Sequence, residues 1–195
     1  MQHFRLTLSA RADTAAGRAL RVARRRFLAP ERIDMSALAA DLGVNRVTLY
    51  RWVGSRDKLL VEVVWELATQ ALGAAKANAT GRGAERVVGV VGRFLELVFD
   101  NAGMQRWLAE EGEHAMRLLT RHDAGFQPRL IAAVRDLLEE EARAGRLDLP
   151  VDLHELAYVI VRLIESYTYL DLITGEPAEA RRAEPILRML LRVDA

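Results

Sequence analysis

Apolar residues recur at spacings of three and four along almost the whole chain, and no strand-like stretch interrupts them. The pattern predicts nine or ten helices and an all-α fold. A first helix spans Thr14–Leu28, with Leu20, Val22, Ala23 and Phe27 on its inner side and Pro30 beyond its end. Residues 1–11 before it read as a flexible arm. Two short helices follow. Met35–Leu42 opens on Asp34 as cap and faces inward through Met35, Leu38, Ala39 and Leu42. Gly43 supplies the positive-φ turn, and Asn45 caps Arg46–Trp52, where Val47 and Leu49 are expected inside. A glycine turn between two helices, the second rich in Arg, Thr and Tyr, is the helix-turn-helix pattern that fits the DNA major groove.

After Gly54, Ser55 caps a long helix, Arg56–Asn78. Its stripe of Leu60, Val61, Val64, Trp65, Leu67, Ala68, Ala71 and Leu72 is too wide for a surface helix. Further helices are predicted over Ala84–Phe99, Met104–Glu111, Glu113–Thr120 and from Gly125–Phe126 to about Ala144, with Glu139–Glu141 a solvated run. A continuous helix over Asp152–Leu172 would bury Leu153, Leu156, Ile160, Leu163, Ile164 and Tyr167. Tyr158, Arg162, Glu165 and Tyr169 would share its opposite, wet face. Two tyrosines on a wet face suggest contact with another surface. A last helix carries Ile186, Leu187, Leu190 and Leu191, with Pro185 at its start or at a kink.

Charge changes the picture. Residues 1–60 hold twelve Lys/Arg against five Asp/Glu, whereas residues 61–195 hold sixteen against twenty-two. A basic head (residues 1–60) on an acidic body (61–195) suggests that only the head meets a polyanion. The run Arg24–Arg26 serves either solubility or phosphate contact. Arg56 and Lys58 oppose the helix dipole in the first turn of their helix, which a bound phosphate would offset.

The 195 residues contain no cysteine, so disulfides and thiolate metal sites are excluded, and neither a signal peptide nor a membrane span is visible. A cytoplasmic protein without cofactor or metal is expected. His3, His114, His122 and His154 are scattered, and no nucleophile elbow or phosphate-cradling glycine loop is present, which argues against an enzyme. An all-helical partner-binding scaffold or a small-molecule-binding protein would explain the wide apolar stripes, but not the charge asymmetry.

Leu38–Val44, Val47–Val53 and Ser55–Leu60 together resemble the TetR family of one-component transcriptional regulators. Two departures are Arg-Asp-Lys at 56–58 where the family has Lys-Glu, and Val53 where it has Phe. The segments Glu165–Leu170 and Thr174–Pro177 are similar to the C-terminal domain of the family's QsdR-type branch, which is linked with degradation of lactone-type signals. The resemblance implies a DNA-binding repressor and a homodimer on a palindromic operator. A small, mostly apolar effector would release it. On DNA, Asn45, Arg46 and Thr48 would read base edges, Tyr50, Trp52 and Lys58 would meet the backbone, and Ser36 and Arg51 would also belong to the DNA-binding set. Tyr50 and Trp52 also admit a packing role. Trp65, Phe94, Trp107, Met116, Phe126, Leu163 and Tyr167 either line an effector pocket or simply fill the core. Dimer contacts would come from Tyr158, Arg162, Glu165, Tyr169, Leu187, Leu190 and Leu191.

Overall fold

The computed structural model describes residues 14–29 and 31–193; the expected N-terminal arm, His3 and Pro30 lie outside them. Among the described residues there are ten α-helices and no strand: α1 (Ala15–Leu28), α2 (Met35–Asp41), α3 (Arg46–Val53), α4 (Arg56–Asn78), α5 (Gly83–Phe99), α6 (Ala102–Thr120), α7 (Phe126–Arg143), α8 (Leu153–Thr168), α9 (Leu170–Thr174) and α10 (Glu184–Leu190). The chain forms two compact units, and the division falls within α4, between Glu66 and Leu67, six residues beyond the end of the expected basic head.

In the first unit, side-chain oxygens start three helices by taking up the N–H groups that a helix leaves open. Thr14 Oγ1 accepts from Gly17 N–H at 3.0 Å, and Asp34 Oδ1 accepts from Ser36 and Ala37 N–H at 2.9 and 2.8 Å. Asn45 does the same for α3. Ala19, Ala23, Phe27, Leu38 and Leu49 meet at the centre with essentially no exposure. Burying each larger side chain among them contributes roughly 2 kcal/mol. Val22 sits at the edge of this core, only half-buried. The basic run is partly consumed by the fold, because Arg26 pairs with Glu31 at 3.0 Å and with Asp41 at 2.6 Å, tying α1 to α2.

In the second unit, α7 packs along α8, and α5 lies against α10 and the short turn Ala180–Ala183 that precedes it. Trp107, Leu95, Leu137, Leu138, Ile160, Val161 and Leu187 are fully buried. α6 is a single element with a break at Glu111 (φ −134°, ψ 33°), at the joint between the two short helices the sequence suggested.

Three expectations fail here, each for a packing reason. Glu141 is not solvated. It is completely buried and accepts from Gly83 N–H (2.8 Å), Arg86 (3.0 Å) and Arg146 (2.7 and 3.0 Å), clamping the start of α5 to the end of α7. The predicted helix 152–172 breaks at Tyr169 (φ −109°, ψ 19°), so Tyr169 leaves the helical wheel and is buried. Its hydroxyl is held above the usual phenol range by desolvation. Finally, α8 buries Ala157, Val161, Glu165 and Thr168 as well as Leu156, Ile160 and Ile164, a shift that leaves Leu153, Leu163 and Tyr167 at the border.

Candidate nucleic-acid interface

The turn between α2 and α3 depends on Gly43 at φ 66°, a conformation that costs a side chain roughly 1–2 kcal/mol. α3 is only eight residues long, too short to persist alone. It is pinned at both ends. Asn45 Oδ1 accepts from Thr48 N–H at 2.8 Å, and Gly54, at φ 80°, closes the other end by donating to the Tyr50 carbonyl at 2.8 Å. Leu49, completely buried, anchors the middle.

With Leu49 inside, the side chains divide around the helix. Arg46, Val47, Tyr50 and Arg51 are exposed and span about 140° of its circumference. Thr48 and Trp52 flank them, half-buried. The Arg46 guanidinium sits 5.9 Å above the centre of the Tyr50 ring, a cation–π arrangement that holds both side chains on the outer surface. Val47 is the correction: expected to pack inward, it is 71% exposed at the centre of this arc. Short helices bury little, and Leu49 alone satisfies the demand.

Asn45 is exposed, but its carboxamide oxygen is committed to the cap, so only its NH₂ group is available to a base edge. Ser36 is exposed in the first turn of α2, where its N–H is already taken by Asp34. Those backbone bonds, Ala37's first, hold the Asp34 carboxyl below the usual range, and Arg46 and Arg32 lower it further. The open N–H groups of α2 are therefore filled from within.

At the start of α4, Ser55 Oγ accepts from Lys58 N–H at 3.1 Å, and the exposed Lys58 runs its stem along Gly54, where a Cβ would stand 2.9 Å from Lys58 Cδ. Arg56 also serves the fold, for its Nε donates to the Ile33 carbonyl at 2.9 Å, bracing α4 against the loop before α2.

The candidate effector residues are distributed differently. Trp65, half-buried, belongs to the first unit. In the second, Phe94, Trp107 and Phe126 are buried, whereas Met116, Leu163 and Tyr167 are half-buried. The two surface concavities described on this unit use other residues. One, of about 390 Å³, lies between α5 and α10 and is lined by Glu85, Val88, Gly89, Arg93, Glu184 and Arg188 among others. The other, of about 270 Å³, is bounded by Val151, Leu156, Val159 and Leu190.

Of the candidate dimer residues, Tyr158 is 43% exposed with the Arg162 guanidinium 5.6 Å over its ring. Glu165 is buried and ion-paired with Arg162, and Tyr169, Leu187 and Leu191 are buried within the chain's own core. These four are corrected: a residue enclosed by its own chain has no surface to offer a partner. The exposed apolar residues beside them are Val159 on α8 and Ile186 and Met189 on α10. The wheel drawn for α8 centred its outer face away from Val159, and Ile186 and Met189 lie on a separate helix that it did not cover.

Two comparisons speak to this arrangement. The family model described as tetracyclin repressor-like, C-terminal domain, matches residues 82–192. Over 92% of this chain and 95% of the other, the structure is similar to the transcriptional repressor QsdR from the TetR family of R. erythropolis, at 30% identity and a TM-score of 0.84. The chain belongs to the TetR family of transcriptional regulators.

A second solved structure, a putative transcriptional regulator from Rhodococcus sp. RHA1, shares the fold at 17% identity and a TM-score of 0.58, covering 90% of this chain and 94% of that one. No curated protein sequence shows significant similarity to the chain. As in the family, the helix-turn-helix of this TetR-type regulator precedes a helical body, and no described helix is long and apolar enough to cross a membrane.

Proposed function

We propose that this regulator acts as a cytoplasmic homodimeric repressor that holds a palindromic operator through paired α3 helices and releases it when a small, mostly apolar effector binds the C-terminal body. The observation that carries the reading is the exposed arc of α3. Two arginines and a tyrosine are held outward on a helix pinned at both ends, in the part of the chain that holds the positive excess.

In this reading Arg46 bonds O6 and N7 of a guanine through its guanidinium fork, assisted by Thr48 and by the Asn45 NH₂ group. Tyr50, Arg51, Trp52, Ser36 and Lys58 meet phosphate and sugar. The dimer contact is carried by Tyr158, Arg162, Val159, Ile186, Met189 and Leu190. Support comes from the groove that Val159 and Leu190 already share. α10 is only seven residues long, so α8 supplies most of a two-fold contact. A dimer sets two α3 helices about one DNA turn apart, which demands a palindrome. For release, the effector must bind the DNA-incompetent conformation more tightly than the competent one.

The test is a mobility shift on DNA flanking the regulator's own gene, run across a salt series. Neutralised phosphates release counterions, so affinity should fall by about a hundred- to a thousandfold between 50 and 200 mM salt. Affinity independent of salt refutes the proposal.

The role assignment makes its own prediction. Arg46→Ala should relax preference at one base position per half-site, at a cost of roughly 1–3 kcal/mol for the preferred base. Lys58→Ala should weaken all sequences alike and make the salt dependence shallower. Binding to a panel of single-base variants separates the two, and an identical profile for both proteins would show that the roles are misassigned.

A further inference from the structure

Val47 has no place in the fold and none in the assignments above. Isolated surface valines are common and need no explanation. This one is set apart by its position. It is 71% exposed in the middle of the α3 arc, with Arg46 and Tyr50 on one side and Arg51 on the other. The other large apolar side chains exposed in the described part of the first unit are Leu28 at 39% and Tyr50 at 37%, so Val47 is the most exposed of its large apolar side chains.

A valine offers neither donor nor acceptor. Placed over a polar base edge, it would strip water from that edge and return no hydrogen bond, which is costly. Among the four natural bases, the major groove presents a single apolar group, the C5-methyl of thymine. Val47 is also β-branched, so its two methyls stand in one preferred rotamer on a helix and form a rigid pad rather than a mobile chain. From these features we infer that Val47 is a specificity-determining residue that reads a thymine methyl in each half-site, next to the base contacted by Arg46. The inference rests on α3 being the helix that enters the groove. It assigns a non-polar readout at one position, beside the hydrogen-bonded readout by Arg46.

The experiment uses the full chain and a duplex selected by it from a random pool. Each thymine of the selected duplex is replaced in turn by deoxyuridine, which removes the methyl and keeps every hydrogen-bonding group. The wild-type protein should lose about fourfold in affinity at one position per half-site, and about fifteenfold when both half-sites carry the change. Val47→Ala should bind the original duplex more weakly by a similar factor and show less than a twofold response to deoxyuridine at that position. Alanine is a better helix former than valine and the site is exposed, so the variant should fold; its thermal melt verifies this. Tolerance of deoxyuridine at every position by the wild type overturns the inference, as does an equal loss in the wild type and in Val47→Ala. A random pool that yields no enriched duplex overturns the groove assignment of α3, and this inference with it. Enrichment without methyl dependence overturns this inference alone.

Discussion

Gly83→Ala is expected to destabilise the second unit by about 3 kcal/mol or more, the sum of a left-handed alanine and a lost buried hydrogen bond. Gly83 sits at φ 58° at the start of α5, and a Cβ there would overlap the carbonyl oxygen of Arg146. Backbone has little room to yield. Moving the Gly83 strand of the clamp outward would separate its N–H from Glu141, leaving a fully buried carboxylate short of one donor. Urea titration followed by the fluorescence of Trp107, buried in the same unit, reports the loss; variants in a Trp52→Phe, Trp65→Phe background isolate that signal. A shift in the midpoint worth less than about 1 kcal/mol would mean that the 81–83 loop relaxes without disturbing the clamp.

The second large effect is the acid sensitivity of the same clamp. The Arg146 hydrogen bonds foremost, then the Gly83 N–H and the charge of Arg86, outweigh burial and hold the Glu141 carboxyl down to about 2, against an ordinary 4.5. Because the folded value lies below the unfolded one, the unfolded chain takes up its proton first as the pH falls. The clamp therefore contributes its full stability above about pH 4.5, and this is withdrawn progressively between there and about pH 2. The shift corresponds to about 3 kcal/mol as an upper figure, reduced in practice because Arg146 is partly open to water. Glu141→Gln cannot titrate and loses charge-assisted bonds to two arginines. At pH 7 it should be less stable by about 2–4 kcal/mol. The gap should narrow steadily toward pH 2, since the wild-type carboxyl then becomes neutral as well. Other carboxylates titrate in both proteins, so the difference between their urea midpoints is the quantity to follow. A gap that stays constant with pH would show that Glu141 stabilises by shape alone.

Both effects concern residues whose importance is poorly marked in the sequence. Glu141 ends a run of three glutamates, and two of them behave as such a run should, with Glu139 reaching Arg135 and Arg143 from a partly exposed position. Nothing local distinguishes the third. Its burial follows from the approach of Gly83, 58 residues earlier, and of Arg146 beyond the helix end. Val47 and Leu49 present the same difficulty on a smaller scale. A two-turn helix with apolar residues two apart offers two phases, and the core of the first unit accepts only Leu49.

The helix-turn-helix was legible because its determinants are local. The Asp34 and Asn45 caps and the positive-φ glycines 43 and 54 act within four residues of the backbone they shape, and their chemistry leaves few alternatives. The charge contrast between head and body was legible too, since it is a property of composition. The phase of α8 was not. Its wheel was drawn through Tyr169, where the helix in fact breaks and Tyr169 turns inward, and within α8 itself Glu165 and Thr168 are buried, so the outer face lies away from the expected one.

By itself, then, the sequence determined that the chain is all-helical and where its DNA-binding motif lies, because capping, glycine turns and apolar spacing are short-range interactions. Only the tertiary structure decided which side chains are left at the surface to meet DNA or a second subunit. Exposure depends on neighbours distant in sequence, and Val47, Glu141, Glu165 and Tyr169 were each decided by them.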